Sequence, residues 1–164
     1  MRASAAKTKA WTTWDFVTGT GSDPAHWPDR SGAYFLLIPL FYTYSFTTGR
    51  FTGQELLPGL YGYCGSAYGP GGIRARVGRH CRADKTARWH IDHLTRKTGV
   101  AAVATFPDGR ECDLVASLEH QGATPPIKRF GSSDCAVCAS HFLKLCADPD
   151  RLSSLLPDVP AEPS

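Results

Sequence analysis

No apolar run in this chain approaches the about 18–20 residues needed to cross a bilayer as a helix; the longest aliphatic stretch is Ala33–Leu40. A membrane-spanning helix is therefore not expected. The opening residues, MRASAAKTKAWTTWDF, carry basic side chains but no apolar segment behind them, which makes a poor secretory signal. No internal repeat is visible. Total charge is also lacking: a net +3 over 164 residues predicts no particular partner. These absences lead to the expectation of a soluble, cytoplasmic protein. In that setting its six cysteines are thiols or metal ligands rather than disulfides.

What is present fits one domain of about 100–150 residues with tails. Hydrophobic residues make up 42% of the chain, enough for a well-filled core. Residues 1–28 read as a loosely ordered arm with Trp11, Trp14 and Trp27 available to pack on the body, and 29–147 as the domain. Residues 148–164 form a tail with four prolines and four acidic residues.

Inside the domain, Ala33–Leu40 reads as a strand, and Phe41–Phe46, with alternate aromatics, as β-rich with a hairpin partner near Phe51. Leu60–Cys64 is the next strand, and Gly69-Pro70-Gly71-Gly72 a turn. Ile73, Val77 and Cys81 then mark the apolar face of a helix. A short helix at 89–94, a strand at 100–106, a helix at 111–121 with Leu114, Val115 and Leu118 inward, and a last helix at 139–147 complete the order. That order predicts an α+β fold, a small sheet with helices packed on it.

Charge is concentrated where composition alone would not reveal it. Between Arg74 and Lys97 stand eight Lys or Arg residues against Asp84 and Asp92, so the rest of the chain sums to a negative charge. Such a segment fits a polyphosphate partner, with a solvated helix face as the plain alternative. Arg74, Arg79, Arg82, Lys85 and Arg88 are its candidate substrate-binding residues. Arg76 and His80 are four residues apart and share one helical face.

Gly32-Ala33-Tyr34, followed by Tyr63-Cys64-Gly65, resembles the paired signatures of the GIY-YIG endonuclease superfamily. GLYGYCGSA (59–67), GPGGIRAR (69–76), Arg79-His80, WHIDHL (89–94), GSSDC (131–135) and SHFL (140–143) resemble one poorly characterised branch of it, found alone or attached to a DNA-repair glycosylase. The likeness covers roughly residues 32–145. It implies a mostly antiparallel sheet of three or four strands flanked by helices, one divalent metal (Mg²⁺ or Mn²⁺), and hydrolysis of DNA, in preference to RNA, in repair or structure-specific processing. By the same resemblance Tyr34 is a candidate general base, Tyr63 lies beside the attacking water or the phosphate, and Arg76 contacts the phosphate. His80 takes a place filled by His or Tyr in other members. A glutamate on the helix after the third strand holds the metal; Glu111 fits that register, with Glu119 the alternative. The long gap between Tyr34 and Tyr63 leaves room for an inserted hairpin around residues 41–57.

Chemistry gives these roles a basis of their own. Arginine offers a permanently charged fork for phosphate oxygens. A tyrosine with a solution pKa of about 10 is a weak base, so nearby cations that favour phenolate would help. The alternative function is a nucleic-acid-binding module with the same fold and no turnover. Cys135, Cys138 and His141 have ligand types at zinc spacing, with Cys112, Cys81 or His120 open as a fourth ligand; the plain alternative is a turn with buried thiols. Asp134 either approaches the active site or serves an ordinary turn. His90, Asp92 and His93 form either a metal cluster or a polar edge, and Tyr42, Tyr44, Phe46 and Phe51 either a base-stacking platform or sheet packing.

Overall fold

The computed structural model describes residues 15–16 and 27–146. Most of the predicted arm, with Trp11 and Trp14, and the whole predicted tail lie outside the described residues. Ten elements follow in order: β1 (Asp15–Phe16), β2 (Gly32–Leu40), β3 (Tyr44–Ser45), β4 (Glu55–Leu56), β5 (Gly59–Ser66), α1 (Gly72–Cys81), α2 (His90–Thr98), β6 (Ala102–Pro107), α3 (Glu111–His120) and β7 (Phe142–Lys144). The fold is α+β. Its sheet is antiparallel throughout, in the order β1-β6-β2-β5-β7, four strands with the two-residue β1 added at one edge.

Central strand β2 is buried on both faces, which is why it reads as a continuous aliphatic run without alternation. Its period of two nevertheless divides the core. Tyr34, Leu36 and Ile38 face α1 and α2 through Ile73, Val77, Ile91 and Leu94. Ala33, Phe35 and Leu37 face α3 through Leu114, Val115 and Leu118. The result is a helix–sheet–helix sandwich, with α1 and α2 on one face and α3 on the other.

Helix α1 begins where glycine is required. Gly72 has φ +59°, and a Cβ there would lie 2.5 Å from the carbonyl oxygen of Arg30. That close approach lets the amides of Ile73 and Arg74 donate to the carbonyls of Arg30 and Pro28, satisfying two of the helix's first free donors. Trp27, only 1% exposed, packs into the core on the same side. The predicted loosely ordered arm is thus anchored at its C-terminal end, and its Asp15–Phe16 adds strand β1 to the sheet edge at β6.

Three readings need correction. The predicted helix at 139–147 is absent: Phe142–Lys144 is β7, paired antiparallel with Tyr61–Tyr63 of β5. Phe142 and Leu143 are both fully buried, on opposite faces of the sheet, so the segment has no alternation that would mark it as a strand. The inserted hairpin exists, but Tyr44–Ser45 pairs with Glu55–Leu56 rather than with a strand near Phe51. Phe51 turns inward instead, its ring stacked 5.1 Å from that of Phe130, and Phe46 joins them. With Phe46 and Phe51 3% and 6% exposed, a stacking platform built on them is ruled out; they are core.

Phe35 lies across Gly62 on the neighbouring strand, and a Cβ at Gly62 would come within 2.2 Å of its buried ring. Gly62→Ala is expected to destabilise the fold by about 1–3 kcal/mol through overpacking, read as a lower urea midpoint at unchanged slope.

Candidate functional site

A cavity of about 580 Å³ opens at the end of the sheet where β2 begins and β5 ends. Tyr34 and Tyr63 form its floor, Arg76 of α1 and Trp89 before α2 one wall, and Glu111 at the first turn of α3 another. The register explains the floor. Tyr34 stands opposite Gly65, and Tyr63 two residues before Gly65 shares its face, with ring centroids 6.5 Å apart. A Cβ on Gly65 would lie 2.1 Å from the Tyr34 ring, so the ring can cross β5 only over a glycine.

Arg76 and His80 share a helical face, as their spacing predicts, yet they do different work. The Arg76 guanidinium lies 4.6 Å from the Trp89 ring centroid, a cation–π contact that holds it at the cavity wall. His80 is buried at 1% exposure behind the floor and is not part of the lining. Its Nε2 is 2.7 Å from the Tyr34 hydroxyl, and its Nδ1 is 3.5 Å from Oδ1 of Asp92. The second contact is an ion-pair distance rather than a hydrogen bond, and Nδ1 has no hydrogen-bond partner among the described residues. Facing a carboxylate, Nδ1 is assigned the proton, which leaves Nε2 to accept the Tyr34 O–H.

Asp92 anchors this chain. It is the third residue of α2 and has no exposed surface. Its Oδ2 accepts from the amides of Arg88 and Trp89 at 2.8 and 3.0 Å, the second being the reciprocal bond of a helix N-terminus. Arg79 Nη1 grips both oxygens at 3.1 and 2.9 Å. Burial alone would raise the Asp92 pKa, but His80, the two amides and Arg79 hold it well below the usual carboxylate range. Burial pushes the His80 imidazole below its ordinary value, against the pull of Asp92. It also raises both phenols, Tyr34 and Tyr63, more than the nearby Arg76 lowers them. The expectation that surrounding arginines favour phenolate is therefore reversed by burial.

The candidate substrate-binding cations are scattered. Arg88 is exposed and lines the cavity. Arg79 is committed to Asp92 and to the carbonyl of Thr86, and Arg74 donates to the carbonyl of Trp27. Lys85 is 5% exposed and bonds the carbonyl of His80, with burial lowering its pKa to about 8. Arg82 is exposed and outside the lining. Of the two glutamates, Glu111 lies in the cavity, while Glu119 is exposed at the opposite end of α3. Among the described residues no cation pairs with the Glu111 carboxylate. Asp134 also lines the cavity.

Sequence reasoning did not single out Arg110, although it directly precedes Glu111 and lines the same wall. It left Asp92 without its role as well; the register of Asp92 as third residue of a helix, with Arg-Trp before it, was the available signal. His90 and His93 form no metal cluster: His90 accepts from the Gly131 amide and His93 lies by Thr48. One ligand cluster does form among the described residues, from Cys112, Cys135, Cys138 and His141 at the rim of the cavity. Backbone amides of Cys138 and Val137 donate to the Cys135 sulfur and bring its pKa down to about 6.

The family model described as "Domain of unknown function DUF123" matches residues 33–159, and the chain belongs to that family. No curated protein and no solved structure matches it. No helix among the described residues is long and apolar enough to cross a membrane.

A buried neutral His80 makes stability depend on pH in a defined direction. In the unfolded chain histidine binds a proton near pH 6.5, whereas folded His80 resists it to lower pH. The unfolded state then holds more protons, so stability falls as pH drops below about 6.5 and levels off once the folded pKa is passed. His80→Gln is expected to flatten that part of the decline, as read by urea denaturation between about pH 7 and pH 5.

Proposed function

We propose that this protein is a metal-dependent endonuclease of the GIY-YIG kind that hydrolyses DNA phosphodiester bonds. The observation that carries the reading is convergence: Tyr34, Tyr63, Arg76 and Glu111, from four separate elements, line one polar cavity. In the resemblance these are the residues of the reacting centre, and a packing-only role gives no reason for them to meet. The large span of similarity between the two signatures and the later blocks supports the same superfamily.

The buried relay overcomes the high pKa of Tyr34. A hydroxyl that already donates to His80 Nε2 keeps lone pairs to accept a proton from water. As water attacks phosphorus, its proton passes to Tyr34 Oη while the Tyr34 proton passes to Nε2. The imidazolium formed faces the Asp92 carboxylate, so no free phenolate has to exist. Tyr63 orients water or phosphate beside Tyr34. Arg76, held by Trp89, neutralises charge growing on the non-bridging oxygens. Arg88 and Arg110 extend the positive field along the strand that enters the cavity.

Glu111 suits a magnesium or manganese ion, a hard cation that binds through one or two carboxylates and keeps its other positions for water and phosphate. When bound, such an ion polarises the phosphate and stabilises the leaving oxygen. Asp134, in the same lining, is the second carboxylate available to it.

Cleavage of duplex, nicked and branched DNA, and of RNA, with Mg²⁺ or Mn²⁺ tests the reading. Arg76→Ala is expected to lower turnover about 10²–10³-fold and Tyr34→Phe about 10²–10⁴-fold, with Glu111→Ala abolishing the metal dependence. Equal cutting by all four proteins would mean a contaminating nuclease and would sink the assignment. Salt-sensitive DNA binding without cleavage under either metal would instead favour a binding module with this fold.

A further inference from the structure

We propose that Cys112, Cys135, Cys138 and His141 bind one zinc ion that fastens the first turn of α3 to the loop preceding β7, and thereby sets Glu111 and Asp134 on the same cavity. The inference concerns the chain's own architecture and stands whatever reaction the cavity supports. The donor atoms of all four residues lie within 4.8 Å of one another, and the sulfurs of Cys112 and Cys135 are 3.6 Å apart. Two sulfurs held tetrahedrally at about 2.3 Å from zinc are about 3.8 Å apart. That is the spacing of ligands around an ion, whereas a disulfide requires about 2 Å.

The local backbone is shaped for a thiolate. In Cys135-x-x-Cys138 the amides of Val137 and Cys138 both point at the Cys135 sulfur, at 3.4 and 3.3 Å. Cys138 is itself buried at 8% exposure. A separate observation comes from the fourth ligand. His141 is 6% exposed, and its buried Nε2 has no hydrogen-bond partner among the described residues. Buried imidazole nitrogens ordinarily find a partner, and a metal at one nitrogen leaves the other to be oriented by its surroundings. Three sulfurs and one nitrogen fill a tetrahedral shell without a place for water, which marks a structural rather than a catalytic site. The same donor set is wrong for magnesium, which selects oxygen, so this ion is distinct from any held by Glu111.

The site also meets a structural need. No helix or strand covers residues 121–141, although this stretch supplies Gly131, Asp134 and His141 to the cavity. Arg129 secures part of it through the carbonyls of Ser133 and Cys135. An ion shared with Cys112 would fasten the stretch to α3 across 23 positions of sequence, immediately beside Glu111.

The test uses the full chain purified under reducing conditions, loaded with zinc and dialysed, with metal content measured by plasma mass spectrometry. About one zinc per chain is expected, and replacement by cobalt should give the tetrahedral d–d and thiolate charge-transfer bands of an S₃N site. Cys112→Ser should weaken zinc retention at least tenfold against a chromophoric chelator, while Glu111→Gln retains it fully. Less than about a tenth of an equivalent in the wild type, an octahedral cobalt spectrum, iron in place of zinc, or a Cys112–Cys135 disulfide would each overturn the proposal. The wild-type stoichiometry and spectrum decide the matter even if Cys112→Ser fails to fold.

Discussion

The Asp92 carboxylate has no exposed surface, and a buried charge is tolerated only when its oxygens are well satisfied. Here the partners come from everywhere around the site: Arg79 from α1, the amides of Arg88 and Trp89 from the entry to α2, and His80 behind the floor. Satisfying Asp92 therefore docks α1 on α2, fixes the start of α2, and orients the imidazole that holds Tyr34. Removing its charge would leave Arg79 without its anion and His80 without its orienting partner.

Around that anchor the cavity is assembled from parts with different rigidity. Its floor belongs to paired strands β2 and β5, whose register puts a glycine beneath the Tyr34 ring. One wall is helical, with Arg76 and Arg79 both resting against Trp89 at 4.6 and 4.3 Å. The opposite wall combines the first turn of α3 with an irregular loop, and there the cysteines and His141 gather. Strand pairing and helix bonds hold the backbone of the first two parts. The third has few regular bonds of its own, which is why a cross-link between its two segments carries weight.

The legible features were those written in short-range pattern. The apolar stripe Ile73–Val77 and the inward face Leu114, Val115 and Leu118 follow directly from helical periodicity. Arg79 and Lys85 belong to the basic segment, but Asp92 on α2 takes the Arg79 guanidinium and the His80 carbonyl, one turn back in the chain, takes the Lys85 ammonium. Tyr42, Tyr44 and Phe46 alternate like sheet residues, yet Phe130, about eighty positions on, claims Phe46 and Phe51 for the core. Phe142 and Leu143 gave no period at all, since both faces of β7 are covered.

By itself the sequence determined the helix–strand order from Ala33 through α3 outside the inserted hairpin, the glycine turn before α1, and the shared face of Arg76 and His80. Each of these depends on spacing within one element or on motif order along the chain. Only the tertiary structure decided that His80 lies beneath the floor rather than in the cavity, that Glu111 rather than Glu119 lines the cavity with Arg76, and that Cys112 completes the cluster of Cys135, Cys138 and His141. Those outcomes depend on how strands pair and which groups become buried together, and no local periodicity encodes a contact between residues brought together only by the packing of separate elements.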